Sequence, residues 1–227
     1  MEKITYSIIC PVYNHRPDSE EVTKLCIDSV LRYSKNYELI VVDDASPFPV
    51  SDTRPDILIR HRRNKGLSPA WNNGVKIARG DYIVIINSDV EVCENWLDRM
   101  RDVFTDDTGV VAPAVEKLPN DPKQPPYQWF PGSCFMLKKE TIARVGLFDE
   151  RFAPFYFEDT DFWVRILRSN LKMKRVLDVF IKHRESFTVR DLSSNEQYQK
   201  NYKKFIDKWG FDPIPIFCGG APYDNFI

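Results

Sequence analysis

The sequence predicts an α/β fold, a mostly parallel sheet flanked by helices, and three observations carry that prediction. Four short apolar runs in the first half are rich in β-branched residues: SIICPVY (7–13), ELIVVDD (38–44), DILIRH (56–61) and YIVIINSD (82–89). Their apolarity is nearly continuous instead of alternating, as expected of strands covered on both faces. Helical patterns fall between them, and such alternation is the signature of doubly wound α/β layers.

In chain order, the first helix is expected from Asp18, with Glu21 completing a capping box and Val22, Leu25, Cys26, Ser29 and Val30 on one face. The second is expected to have Ser68 as N-cap and Pro69 as its first residue, to carry Trp71, Val75 and Ala78, and to stop at Gly80. Residues 117–131, KLPNDPKQPPYQWFP, hold five prolines and can continue neither element, so a long loop is expected. A short strand (133–138) and a helix (140–145) follow, then the aromatic and acidic segment GLFDERFAPFYFEDTDFWVRILRSN (146–170) and a strand MKRVLDVFIKH (173–183). A last helix carries Tyr198, Tyr202, Phe205, Ile206 and Trp209 at helical spacing, which reads as core packing, and Gly210 closes it. The tail FDPIPIFCGGAPYDNFI (211–227) is expected to wrap the surface or dangle.

Composition narrows the function classes. The 227 residues are 43% hydrophobic and 13% aromatic, which suits one large domain or one domain with a small appendage. Formal net charge is −1, from 32 basic and 33 acidic residues, so no global field marks a nucleic-acid or anionic-membrane partner. Cys10, Cys26, Cys93, Cys134 and Cys218 are odd in number and lack a C-x-x-C pair, which argues against a zinc knuckle or a disulfide framework. Reduced thiols in a cytoplasmic setting fit best. No apolar stretch approaches the roughly 20 residues of a membrane helix, so a soluble chain without an integral membrane segment is expected.

In open α/β sheets, ligands bind outside the carboxyl ends of the strands. The first run ends in Pro11, Val12, Tyr13, Asn14 and His15, the second in Asp43, Asp44, Ala45 and Ser46, and the fourth in Asn87, Ser88 and Asp89. One such cluster is ordinary turn chemistry. In a parallel sheet they meet in one crevice, where two acidic groups can take a hard cation, ribose hydroxyls or a base N–H. A second acidic cluster, Glu158, Asp159, Thr160 and Asp161, follows the aromatics Phe152, Phe155, Tyr156 and Phe157. It fits the acidic first turn of a helix, and it equally fits a carboxylate set beside a sugar hydroxyl.

The pieces SIICPVYNH, ELIVVDDAS, NKGLSPAWNNG, GDYIVIINSD, GLFDERF and YFEDTDFWVR, in this order, resemble the inverting glycosyltransferases of family 2. That family has the GT-A (Rossmann-like) fold and uses nucleotide-sugar donors. The match spans most of residues 7–185 and leaves the chain beyond about 186 uncovered. The resemblance implies that Pro11, Tyr13 and Asn14 border the nucleotide, with Tyr13 against the base. Asp44 would accept from a pyrimidine N–H, with Asp43 shaping the turn, and Asn64 and Gly66 would belong to the loop over the nucleotide. Asn87, Ser88 and Asp89 would form a D-x-D-like motif whose last residue binds Mn2+ or Mg2+ shared with the diphosphate. Asn87 in the first place points to the rhamnosyltransferase-like branch and lowers the site's charge; Glu91 could compensate or face solvent. The resemblance puts the catalytic base at Asp159, supported by Glu158 and Asp161 through orientation and hydrogen bonding. His183 would ligate the metal or touch the diphosphate, against the alternative of a structural histidine.

The implied organisation is one domain over residues 1–210, with a nucleotide-binding half of about 1–116, an acceptor half of about 117–210, and a 211–227 tail. The implied reaction moves a sugar from a UDP- or dTDP-linked donor, rhamnose-like in the branch named, to an acceptor hydroxyl on a glycan or glycoconjugate. A sugar nucleotidyltransferase would carry a glycine-rich basic loop where this chain reads PVYNHRPDSE. A catalytically weak sugar-nucleotide-binding module would have lost Asp159 or Asp89, and a dinucleotide-binding dehydrogenase would show G-x-G-x-x-G after the first strand.

Overall fold

The structure, a computed structural model, describes residues 4–51, 53–116, 130–184 and 195–213. Strand β1 (Tyr6–Val12) leads to helix α1 (Pro17–Tyr33), β2 (Tyr37–Asp43), β3 (Ile57–Arg60), α2 (Leu67–Ile77) and β4 (Tyr82–Ile86). Then come β5 (Val90–Glu91), α3 (Trp96–Arg101), β6 (Thr108–Val115), β7 (Cys134–Lys138) and α4 (Lys139–Val145). A 3-10 turn (Glu150–Phe152), α5 (Glu158–Arg168), β8 (Lys172–His183) and α6 (Asn195–Trp209) follow among the described residues. The sheet order is β3-β2-β1-β4-β7-β6-β8-β5. β1 pairs in parallel with β2 and β4, and β2 with β3, whereas β7 runs antiparallel to both β4 and β6, so the sheet is mixed.

Because successive side chains of a strand point to opposite faces, each apolar run feeds two cores. On one face Ile9 of β1 packs with Ile40, Val42, Ile85, Trp71 of α2, and Phe162 and Trp163 of α5. On the other, Ile8 and Cys10 pack with Cys26, Ile27 and Val30 of α1 and with Trp96 and Met100 of α3. Phe205 is buried in the first core, with Tyr198, Tyr202 and Trp209 packed against it, so the aromatic stripe of α6 docks that helix.

Two helix starts differ from the sequence expectation. Pro17, whose fixed φ suits a first helical position, starts α1 early, behind Arg16 at the N-cap. Asp18 therefore lies inside the first turn and accepts from Arg16 Nε at 3.0 Å, and the Asp18–Glu21 capping box does not form. α2 starts at Leu67 behind Gly66, not at Pro69 behind Ser68. A tertiary partner satisfies its first N–H, since Leu67 donates to Pro154 O at 2.8 Å, while Ser68 Oγ is buried without a partner. Among the described residues, no helix is long and apolar enough to cross a membrane. Cys10, Cys26, Cys93 and Cys134 are free thiols, whereas Cys218, residues 117–129 of the proline-rich loop and the tail from 214 lie outside the described residues.

Candidate active site

Sheet register sets three polar clusters side by side. Val12 is level with Asp43, and Ile9 with Ile85, so the chain leaves β1, β2 and β4 at the same edge. Pro11 sits in the last turn-facing residues of β1, where pairing with β4 has already ended at Ile9 and a missing N–H costs nothing on that side. Asn14 is buried; its N–H donates to Ser46 Oγ (2.9 Å) and its Oδ1 accepts from Thr23 Oγ1 (2.8 Å). Tyr13 is half-buried, its ring stacked on His15 with centroids 6.0 Å apart and 17° between planes. Asp43 shapes the turn after β2 by accepting from Ser46 N–H (2.8 Å) and pairing with Arg60 (3.2 Å).

Asp44 does more than the sequence foresaw. Its carboxylate accepts from the backbone N–H groups of Lys65 (2.9 Å) and Gly66 (2.7 Å) and contacts His61 Nδ1 at 2.6 Å. Asn73 Nδ2 donates to His61 Nε2 (2.6 Å), which leaves Nδ1–H to donate to Asp44. The carboxylate thus orders the loop at 61–66, and any further donor has to share an oxygen with these groups. Asn64 is exposed on that loop. Gly66 adopts φ +93°, and a Cβ there would come to 2.5 Å of Pro154 Cα, so glycine is required both by conformation and by the close approach of the aromatic segment. His61 ends the third apolar run at the same sheet edge, which was the available signal for it.

The Asn87–Asp89 cluster is held by the sheet on both sides. Asn87 N–H donates to Ser133 O (2.8 Å), and Ser88 is buried. The antiparallel bridge of β5 to β8 pairs Val90 with His183, and this register brings His183 Nε2 to 3.3 Å from Asp89 Oδ1. Asp89 is 4% exposed, yet its Oδ1 and the Oδ1 of Asn87 are buried without a hydrogen-bond partner. These two oxygens are therefore not committed to hydrogen bonds within the protein. Glu91 Oε1 accepts from Arg184 at 2.9 Å. Among the described residues, no group of three or more His, Cys, Asp or Glu side chains forms a complete metal cage.

The second acidic cluster opens α5. Phe157 is its N-cap, and both Tyr156 (φ +78°) and Phe157 (φ +72°) are left-handed, a conformation that costs bulky residues roughly 1–3 kcal/mol each. Asp159 Oδ1 accepts from Thr160 N–H (2.6 Å) and Oγ1 (3.1 Å), while Oδ2 faces Gly132, where any Cβ would collide with the carboxylate. Burial raises the Asp159 pKa, opposed by the Thr160 bonds. Gly132 adjoins Ser133, whose carbonyl accepts from Asn87 N–H, so one dipeptide adjoins both acidic clusters. Nothing in the local sequence marked Gly132, because its role depends on a neighbour far along the chain.

Asp161 requires a correction. It is 0% exposed and spends both oxygens on structure, accepting from Arg165 Nε (3.0 Å), Lys208 Nζ (2.5 Å) and Trp209 Nε1 (2.9 Å). Two residues, a little over half a turn, beyond Asp159 it faces α6 and pins that helix, and it makes no hydrogen bond to Asp159. Glu158 also makes no hydrogen bond to Asp159, and its Oε2 is buried without a partner. Burial, and then the charge of Asp159, push the Glu158 pKa well above the usual carboxylate range. A carboxyl with a raised folded pKa stabilises the fold when protonated and loses that contribution as pH rises through the folded pKa. Glu158→Gln is therefore expected to raise the melting temperature at alkaline pH, by about 2–4 °C per kcal/mol recovered, with the gain fading below about pH 4. Thermal melts of both proteins from pH 4 to 9 check this; a gain that grows toward acid would contradict it.

The mixed sheet with helices on both faces defines a GT-A-like α/β domain. Residues 7–166 match the family described as glycosyl transferase family 2, and the chain belongs to that family. It is 38% identical over 104 residues to the uncharacterized glycosyltransferase EpsJ of Bacillus subtilis (strain 168), covering 42% of this chain and 29% of EpsJ. It is 39% identical over 92 residues to dolichol-phosphate mannosyltransferase of Pyrococcus furiosus, covering 37% of this chain and 26% of that enzyme. The matches thus span under a third of these relatives' length. In fold it is similar to GalNAc-T7 solved with UDP, GalNAc and Mn2+ (TM-score 0.70, 16% identity, 98% of this chain and 52% of that one). It is also similar to the mannosyltransferase PcManGT of Pyrobaculum calidifontis solved with GDP-Man and Mn2+ (TM-score 0.69, 19% identity, 95% and 67%).

Proposed function

We propose that this chain is an inverting glycosyltransferase that moves a sugar from a pyrimidine nucleoside-diphosphate donor to a hydroxyl of a glycan or glycoconjugate. The observation that carries the reading is the junction in which Asp159, its pKa raised by burial, is joined through Gly132 and Ser133 to the strand end that carries Asn87 and the buried Ser88 and Asp89. Asp159 takes the proton of the acceptor hydroxyl as that oxygen attacks the anomeric carbon, and the nucleoside diphosphate leaves from the opposite face. The half-buried rings of Phe155 and Tyr156 border the same turn and offer the acceptor a stacking wall. Asn87 supports a rhamnose-like donor, and Asp44 a pyrimidine base. Residues 1–210 form the catalytic domain in this reading, with the nucleotide-binding half at about 1–116 and the acceptor half at about 117–210. The four free thiols support a reducing, cytoplasmic setting.

The donor set of the crevice fits a divalent ion. Asp89 Oδ1 is unpartnered and buried, His183 Nε2 lies 3.3 Å away, and Asn87 Oδ1 is likewise unpartnered, a mixture of oxygen and imidazole suited to Mn2+ or Mg2+. Diphosphate and water would complete the coordination. A bound ion supplies Lewis-acid stabilisation of the charge that grows on the leaving diphosphate. The Mn2+ present in the GalNAc-T7 and PcManGT structures is in keeping with this.

Melting curves with UDP, dTDP, GDP and ADP, each with Mn2+ or with chelator, test the reading together with donor hydrolysis across a panel of nucleotide sugars. At a hundredfold excess over Kd a native-state ligand stabilises by about 2.7 kcal/mol, an upward shift of several degrees. UDP or dTDP with Mn2+ is expected to give that shift. Equal shifts from GDP and ADP reject the pyrimidine assignment, and indifference to chelator rejects the metal role of Asp89 and His183.

A further inference from the structure

Helix α6 lies beyond the segment matched by the family, and it carries a buried polar residue that an apolar docking helix does not need. Asn201 is 0% exposed, and its Nδ2 donates to three main-chain carbonyls, those of Phe152 (2.5 Å), Phe155 (2.8 Å) and Tyr156 (3.1 Å). An amide carries two N–H groups, so three acceptors share them. All three carbonyls belong to the loop that delivers the chain into α5.

That loop is held against its own preference. Tyr156 and Phe157 follow one another with φ +78° and +72°, a pairing that bulky L residues leave unless the surroundings fix it. Phe157 then caps α5, and Asp159 is the second residue of the helix. Rings of α6 close over the same segment: Tyr198 meets Tyr156 at 5.5 Å between centroids, and Phe157 packs on Tyr198, Tyr202 and Phe205. These ring contacts dock α6 without help from Asn201, so the amide answers a different need, the buried carbonyls of a strained turn. Beyond the turn, Lys208 and Trp209 of the same helix grip Asp161. Asn201 and this pair therefore flank Asp159 on either side.

We propose that Asn201 is a positioning residue for sugar transfer: by clamping the 152–157 loop it sets the place of Asp159 and of the rings facing the acceptor. The inference rests on the glycosyltransferase reading above. It gives α6 a part in the chemistry, although among the described residues no hydrogen bond, ion pair or ring contact joins the helix to Asp89 or to residues 61–66.

The test uses the full chain with Asn201→Ala and Asn201→Ser, the latter keeping a small donor and serving where the alanine variant does not fold. Hydrogen exchange by mass spectrometry reads the clamp, and turnover of a nucleotide sugar accepted by the unmodified protein reads the chemistry. Titration calorimetry with the matching nucleoside diphosphate reads donor affinity. Exchange is expected to quicken within 152–161 and to stay unchanged within 37–44. Turnover should fall about tenfold to a hundredfold, the scale of an ångström's misplacement, with nucleotide affinity within about twofold. Unchanged exchange at 152–161, quickening over the whole chain, or normal turnover despite a loosened loop each overturns the inference while leaving the glycosyltransferase reading standing. If the unmodified protein turns over no nucleotide sugar in the panel, that reading fails and the inference falls with it.

Discussion

Replacing Asp159 with Asn is expected to lower sugar transfer by about a hundredfold or more while donor affinity stays within about twofold. The substitution is isosteric at a point where space is tight. A Cβ at Gly132 would collide with Oδ2, so there is no room beside this carboxylate for a larger side chain, and the neighbouring Ser133 carbonyl holds Asn87. Asn keeps the Oδ1 that accepts from Thr160 N–H and Oγ1, so the first turn of α5 survives, and only the proton acceptor is lost. Burial raises the pKa of this carboxyl, which places the acid limb of the turnover profile above the ordinary aspartate value of about 3.9. Turnover should fall as pH drops through that raised pKa, because the protonated acid cannot take the acceptor's proton. Calorimetry of donor binding and initial rates against pH, for both proteins, decide the matter. Near-normal transfer by Asp159→Asn would sink the assignment. The role would then pass to Glu158, since Asp161 has no free oxygen to offer.

The sheet edge was legible in the sequence because its signals are local. Each of the runs ending at Tyr13, Asp44 and Asp89 is apolar up to the point where polar residues begin, and parallel register does the rest. β6 was not legible. Its stretch TGVVAPAV contains Pro113, which argues against an inner strand, and the strand tolerates it through a shift in register with β8 between Pro113 and Ala114. β5 is two residues long and exists only because β8 runs past it. The site divides in the same way. Asp89 and Asp159 are marked by their own neighbours, whereas His61, Gly132 and Asn201 acquire their roles from residues 17, 27 and 49 positions away. Asp161 was misassigned for the complementary reason. An acidic residue in a first helical turn looks the same in sequence whether it faces a substrate or, as here, a lysine and a tryptophan from a helix 48 residues on.

Asp89→Ala should act on the other half of the reaction, weakening donor binding and cutting turnover together. Asp89 Oδ1 is buried and accepts no hydrogen bond, with His183 Nε2 near it at 3.3 Å, so its removal costs little structure and relieves a desolvated carboxylate. The variant is therefore expected to fold with a melting temperature at or above that of the unmodified protein, the usual pattern where a site is built at the expense of stability. Function goes the other way. An ion held by Asp89 would be left with His183 and Asn87 from the protein, and the loss of Lewis-acid stabilisation worth several kcal/mol would correspond to a turnover loss of about a hundredfold or more. Donor affinity measured with Mn2+ should drop with it, which Asp159→Asn should not show. His183→Ala, made alone and in combination, separates a shared ion from two independent contacts: if both side chains hold one ion, the double variant loses little beyond Asp89→Ala. Additive losses, or donor binding by Asp89→Ala that still responds to chelator as in the unmodified protein, would place the ion elsewhere and leave the 3.3 Å approach of His183 to Asp89 as a structural pair.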